Sequence, residues 1–400
     1  MSTIHLPFIL DGSTGAMLIK NGMPISACIE EWILRNPEVF IKIQSAYKTA
    51  GSDGVYAPTF SANRAKLAGF GLENKVAEIN KSLVALSRKA VGTECLVGGN
   101  MSPCGMFIAP FGDAAMQQLF EVYLEQAQAL EDAGVDFFII ETMITLAEAR
   151  AALLAVNRVS HKPVFVTCTC DEHGKLLDGT HITTALVVMQ ALGVDAFGLN
   201  CSNGPDEMLE NIEALSQLAT VPLIAKPNAG LPEMVDGVQV FDMEADEFCQ
   251  DIDKFFEHGV RIMGGCCGTD HTHISCLAGQ MLKYNRDEAL QTSPRYSGMA
   301  FYGAAQKNAV EYTITTGARG VFQPIESPIF SEPITFDEDY QPEECDILTI
   351  EIQTAQNVRD LEENQHIIDK PVCLVGQDEQ LLSQALLSFN GVCLYRLGEE

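Results

Sequence analysis

The chain has a single tryptophan, Trp32, and aromatic residues fill only 8% of its 400 positions. Basic side chains are scarce as well: 25 Lys and Arg stand against 54 Asp and Glu, a net charge of −29. That balance excludes nucleic acid and anionic membrane surfaces as natural partners, because both require a positive face. No apolar run approaches the ~18 residues of a membrane-spanning helix, and the N-terminus lacks the basic-then-apolar pattern of a secretion signal. The 13 cysteines are odd in number and dispersed, unlike the dense spacing of a secreted disulfide scaffold. A cytoplasmic chain is expected, with thiols kept reduced for packing and metal binding.

What is present is organised around Met263-Gly264-Gly265-Cys266-Cys267-Gly268-Thr269-Asp270. This stretch closes a strand-like run, 259–263, and leads into a helix-like segment. Adjacent cysteines in a continuing strand would point to opposite faces. The flanking glycines free the backbone to leave strand geometry, so both sulfurs can turn toward one point. A disulfide between direct neighbours would strain the peptide that joins them. Two convergent thiolates instead suggest a metal, and zinc needs further donors. The best third donor is Cys201, which also ends a strand-like run and enters a Gly/Pro turn, Asn200-Cys201-Ser202-Asn203-Gly204-Pro205. A lone cysteine is most often a small buried residue; a strand-ending one paired with a Gly-flanked Cys-Cys reads better as a ligand. Three thiolates would leave a fourth position open, as in catalytic zinc.

Eight strand-like runs alternate with helix-period segments over about 280 residues. The runs cover 6–10, 54–60, 95–100, 135–142, 163–168, 194–201, 221–228 and 259–267, and the clearest helices are 116–133, 146–159 and 208–218. The count and length predict a (β/α)8 TIM-type barrel over 1–285, with a doubly wound open sheet as the alternative. Active sites of such barrels lie at the C-terminal strand ends, where Asp11, Thr59, Glu141, Asn200, Cys201, Asn228, Cys266 and Cys267 all fall. Strands 6 and 8 would stand about 10 Å apart, close enough for their side chains to share an ion.

Residues 286–345 read as a connector, interrupted by Ser327-Pro328, Glu332-Pro333 and Gln341-Pro342. Residues 346–400 read as a small α/β extension of βαβαβ type. Positions 321–400 carry 17 acidic and 3 basic side chains, about half of the charge excess. A module this small is expected to pack on the barrel or on a second copy, so a homo-oligomer is one of two arrangements.

Asp11-Gly12-Ser13-Thr14-Gly15, Gly198-Leu199-Asn200-Cys201-Ser202, Pro227-Asn228-Ala229-Gly230 and Gly264-Gly265-Cys266-Cys267-Gly268-Thr269 together resemble the zinc-dependent homocysteine S-methyltransferase family. The likeness covers about residues 5–285 and is nearest to the homocysteine-binding domain of cobalamin-dependent methionine synthase. It implies a Zn2+ ion held by Cys201, Cys266 and Cys267, with the thiol of homocysteine as methyl acceptor in the open position. It further implies that Asp11 and Glu141 face the substrate ammonium, and that the turn of Gly12, Ser13 and Thr14 holds the carboxylate. Asn200 would line the substrate site, and Asn228 would fill the metal's fourth position when substrate is absent, or else cap a loop. His271 and His273 are expected to point away, and Cys168 and Cys170 to pack or line the pocket.

Two stretches depart from the family: Ala57-Pro58-Thr59-Phe60-Ser61-Ala62 and Asn100-Met101-Ser102-Pro103-Cys104-Gly105. Both would lie on the active face and bear on substrate or donor. The extension faintly resembles part of a pterin-binding domain, but contains nothing like the Gly-Glu-Arg entry of a folate domain. No Asp-x-His-x-x-Gly cobalamin motif occurs. The methyl donor is therefore expected from outside the chain: S-methylmethionine, S-adenosylmethionine or a methyl-corrinoid on a separate protein. Betaine fits less well with so few aromatic residues. A non-catalytic zinc- or thiol-binding subunit of a larger methyltransferase assembly is the alternative.

Overall fold

The computed structural model describes residues 4–231, 233–235, 238–284, 286, 288–291, 301–305, 308–314, 331, 333–335 and 347–398. Eight parallel strands form one sheet: β1 Phe8–Ile9, β2 Gly54–Tyr56, β3 Leu96–Met101, β4 Phe137–Met143, β5 Val164–Cys168, β6 Ala196–Asn200, β7 Leu223–Lys226 and β8 Val260–Met263. Their order is β1-β8-β7-β6-β5-β4-β3-β2, each strand beside its sequence neighbour apart from the β1/β8 pair. This is the winding of a (β/α)8 barrel, and it places β6 and β8 on either side of β7.

The seam between β1 and β2 is closed by the Asp53 and Asp11 side chains as well as by backbone. Asp53 N–H donates to Ile9 O at 2.8 Å, while Ile9 N–H donates to Asp53 Oδ2 at 2.8 Å. Tyr56 N–H donates to Asp11 Oδ2 at 2.9 Å. Arg286 holds both oxygens of Asp53 at 3.0 Å from outside.

Helices cover the sheet. The main ones are α1 Pro37–Ala50, α2 Val76–Val91, α3 Met116–Ala133, α4 Leu146–Val159, α5 Ile182–Ala191, α6 Pro205–Ser216, α7 Ile252–Glu257 and α8 His271–Met281. The periodicity in the sequence marks α3 and α4 to the residue. Gly134, in the left-handed region at φ 79°, stops α3, a conformation in which a side chain is strained. Inside the barrel Phe8, Tyr56, Phe137, Ile139, Phe165, Ile224 and Ile262 form a buried plug. Phe137 meets Phe8 edge-on at 6.0 Å and Phe165 at 5.2 Å. Gly98 makes room for it, since a Cβ there would lie 2.5 Å from the Phe137 ring. The plug fills the lower barrel and leaves chemistry to the C-terminal strand ends.

The C-terminal extension is the expected βαβαβ unit. Strands β9 Leu348–Glu351, β10 Val372–Gly376 and β11 Leu394–Leu397 run parallel in that order, with α9 Ala355–Asn364 and α10 Glu379–Ser388 between them. It sits on the barrel's outer helices. Arg150 of α4 is buried against it and donates to Leu387 O at 3.3 Å, Leu386 O at 3.4 Å and Asn390 Oδ1 at 3.2 Å. Glu362 Oε1 accepts the first N–H of α3, from Met116, at 2.7 Å. The connector expected over 286–345 lies mostly outside the described residues, although a two-stranded antiparallel ribbon, Phe301–Ala305 with Asn308–Ile314, falls within it.

Candidate metal and thiol site

The sulfurs of Cys201, Cys266 and Cys267 lie within 4.8 Å of one another, a grouping of metal-binding character among the described residues. Cys201 Sγ and Cys267 Sγ are 3.4 Å apart. Zinc with sulfur ligands at about 2.3 Å in a tetrahedral array sets sulfurs about 3.8 Å apart, so the trio fits such an ion.

The backbone around each cysteine is arranged for this convergence. Cys201 follows β6 in a left-handed conformation, φ 60°, rare for a residue with a side chain. Its N–H donates to Lys226 O at 3.2 Å, and the N–H of Cys266 donates to Pro227 O at 2.8 Å. The segment after β7 therefore lies between the two cysteine loops and registers both. Asn228 completes the tie: its Oδ1 accepts the N–H of Cys267 at 3.1 Å and its Nδ2 donates to Cys201 O at 3.2 Å. Thr269 turns the chain back, its Oγ1 donating to Cys266 O at 2.7 Å. A Cβ on Gly265 would stand 2.2 Å from Thr269 Oγ1, so the tight turn requires glycine there.

Asn200 is fully buried behind the sulfurs. Its Oδ1 accepts from Thr142 N–H and from Thr167 Oγ1, each at 2.8 Å. Its Nδ2 donates to Thr142 Oγ1 at 2.8 Å and lies 3.7 Å from Cys266 Sγ. Thr142, the residue after Glu141, is itself left-handed at φ 61°. Asn200 thus braces the end of β4 and offers a hydrogen bond to the Cys266 sulfur.

The three thiols share their protons. Hydrogen bonds from Cys201 and Cys266 favour the thiolate at Cys267 and hold it well below the ordinary thiol range, to about 3. Contacts with Cys266 and Cys267 push Cys201 up; at Cys266 the Cys201 hydrogen bond favours the thiolate, but Cys267 and burial outweigh it and push the thiol up to about 11.

Asp11 and Glu141 are both buried at the same mouth. Glu141 Oε1 accepts from Asn100 Nδ2 at 2.5 Å. Burial pushes its carboxyl up to about 7, against the pull of Lys226 and with a further push from Cys266. Burial also raises Asp11, opposed by Lys226 and by the Tyr56 N–H. Lys226, which sequence reasoning passed over, joins them: its Nζ lies 3.4 Å from Asp11 Oδ1 and 4.0 Å from Glu141 Oε2. The signal was present in the sequence, as a lysine ending an apolar strand and so obliged to find acids.

The turn after β1 is partly committed to structure. Ser13 N–H donates to Thr269 O at 3.3 Å and Oγ1 at 3.2 Å, and Ser13 Oγ accepts from Ala16 N–H, capping the short helix Thr14–Lys20. Gly12 packs under Tyr47, where a Cβ would come within 2.8 Å of the ring. His273 caps α8, its Nδ1 3.1 Å from Asp270 Oδ1 and its Nε2 3.0 Å from Met243 O, facing away from the sulfurs. Cys168 and Cys170 are buried, with Ser202 Oγ 3.9 Å from Cys170 Sγ.

The homocysteine S-methyltransferase model matches residues 8–281, which hold all of these groups. The chain belongs to the homocysteine S-methyltransferase family. Within curated relatives of this family member, methionine synthase of Mycobacterium tuberculosis (strain ATCC 25618 / H37Rv) is 30% identical over 403 residues, covering 94% of this chain and 32% of that protein. Methionine synthase of Mycobacterium leprae (strain TN) is 30% identical over 293 residues, 69% of this chain and 24% of that protein. The chain therefore spans about a third or less of the curated relatives it matches. Among solved structures, the metallated form of the homocysteine methyltransferase MmuM from Escherichia coli superposes with a TM-score of 0.57 at 23% identity, over 70% of this chain and 96% of that one. That likeness is one of fold. Among the described residues no helix is long and apolar enough to cross a membrane.

Proposed function

We propose that this protein methylates the thiol of homocysteine, giving methionine, and that Cys201, Cys266 and Cys267 hold the zinc ion the reaction requires. The observation that carries the reading is the convergence of three sulfurs from two strand ends, tied through a third, within 4.8 Å. When bound there, zinc would lower the pKa of a thiol so that it stays a thiolate, the nucleophile for a methyl carbon. The remaining work falls to the chain. The Asn228 bridge and the β7 backbone fix the loops that carry the cysteines. Asn200 donates toward Cys266 Sγ and moderates its charge. Asp11 and Glu141 present buried negative charge toward an amino group, and the turn of Gly12, Ser13 and Thr14 closes that end of the site. Asn228 Oδ1 retains a second lone pair, which supports a role as the metal's fourth donor before substrate arrives.

The donor comes from outside residues 1–285, as S-methylmethionine, S-adenosylmethionine or a methyl-corrinoid on a separate protein. The C-terminal module is proposed as a fragment related to a pterin-binding domain, a reading supported by the 94% coverage of the chain in the match to methionine synthase. The test is methionine formation from homocysteine by zinc-loaded protein with each donor in turn. Turnover with one donor supports the proposal; zinc-replete protein inert with all three overturns it.

A further inference from the structure

Lys226 ends β7 with its side chain buried in the barrel mouth, only 2% of the residue exposed. Its Nζ faces the two acids that the proposed function assigns to the substrate's ammonium, at 3.4 Å from Asp11 Oδ1 and 4.0 Å from Glu141 Oε2. It also lies 3.7 Å over the centre of the Tyr56 ring, whose negative face attracts a cation. Each acid spends its other oxygen on a neutral donor, Asp11 Oδ2 on the Tyr56 N–H and Glu141 Oε1 on Asn100 Nδ2. The surrounding chain makes room for the lysine: a Cβ on Gly264 would stand 3.2 Å from its Cε and 2.8 Å from Asp11 O. Two carboxylates and an aromatic face thus enclose one ammonium already, and that ammonium belongs to the protein.

We infer that Lys226 is a specificity-determining residue, a built-in counter-ion in the ammonium subsite that reduces the site's demand for an α-amino group on its thiol substrate. Buried carboxylates without a cation would gain strongly from a substrate ammonium, because an unpaired buried charge is costly. With Lys226 in place that cost is already met, and a substrate ammonium must share or displace it. The site then accepts a class of thiols wider than amino-acid thiols, including chain-length-matched mercapto acids. This inference rests on the thiol-acceptor reading above.

The test is equilibrium binding of homocysteine and of its des-amino counterpart, mercaptobutanoate, to zinc-loaded protein by calorimetry. In the wild type the two affinities should lie within about tenfold, since the amino group finds its acids already paired. In Lys226→Met, of similar length and no charge, homocysteine should gain at least about tenfold over mercaptobutanoate. Lys226→Arg should keep the wild-type ratio. A wild-type preference for homocysteine above ~100-fold overturns the inference even if Lys226→Met fails to fold. So does an unchanged ratio in a folded Lys226→Met that binds both thiols, and that result leaves the thiol-acceptor reading standing. Binding of neither thiol by the zinc-loaded wild type overturns both.

Discussion

Asn228 holds Cys267 through a hydrogen bond from the Cys267 backbone N–H to Asn228 Oδ1, at 3.1 Å. The same amide donates to Cys201 O, so one side chain spans the two loops that bring the sulfurs together. Asn228→Ala leaves a half-buried N–H and a half-buried carbonyl without these partners. The expected cost is about 1–3 kcal/mol of stability, with zinc lost to a competing chelator at lower concentration than from the wild type. Wild-type zinc retention in a folded Asn228→Ala protein would mean that the loops are positioned without this bridge.

Glu141 is the second test. Glu141→Gln keeps the shape and the partner Asn100 but removes the charge that faces Lys226 and, under the proposed function, the substrate's amino group. Zinc content should be unchanged, and homocysteine affinity should fall severalfold, by less than about tenfold, because Lys226 already meets part of this charge. Metal analysis of the purified variant reads the first, and calorimetry on zinc-loaded protein reads the second. Unchanged affinity would move the amino-group site elsewhere.

Asp270 caps α8 and tests the acid side of stability. Burial tends to raise its carboxyl, but hydrogen bonds from Thr272 and His273 outweigh this and hold it at about 2, against an ordinary 3.8. A lowered folded-state pKa means that its contribution is complete above about pH 4 and is lost as pH falls through about 2. Asp270→Ala should therefore lose about 1 kcal/mol at neutral pH, a typical N-cap. The gap to wild type should close toward pH 2. Urea unfolding across that range checks the sign, and a constant gap would contradict it.

Arg150 tests the docking of the extension. Its guanidinium reaches Leu386 O, Leu387 O and Asn390 Oδ1 from the barrel's α4. Arg150→Ala should speed proteolytic cleavage within residues 347–398 and leave zinc content at wild-type level. Equal cleavage rates would show that the module is held without Arg150, by its apolar contacts and by Glu362 on the first N–H of α3.

The strand ends were the most legible part of the fold. Alternating apolar runs stopping at Glu141, Cys201 and Cys267 announce a barrel with its chemistry at one rim, and glycine on both sides of Cys266-Cys267 announces convergence. Less legible was the first strand, which pairs in the barrel only over Phe8–Ile9, while His5–Leu6 turns instead to an antiparallel pairing with Glu288–Ala289. No local pattern distinguishes these two fates. Lys226 was missed because its partners are tertiary: Asp11, just after β1, and Glu141, in β4, lie far away in sequence. The left-handed Thr142 was likewise hidden, since Asn200, 58 residues on, is what holds it.

Under the proposed function, three sulfurs of this chain hold zinc and leave one position for the substrate thiol. X-ray absorption at the zinc edge measures this directly, on protein reconstituted to one ion per chain. Three sulfurs and one lighter atom are expected without substrate, four sulfurs after homocysteine is added, and loss of most of the metal in Cys201→Ser. An unchanged sulfur count on adding homocysteine, or full zinc in Cys201→Ser, would contradict the account.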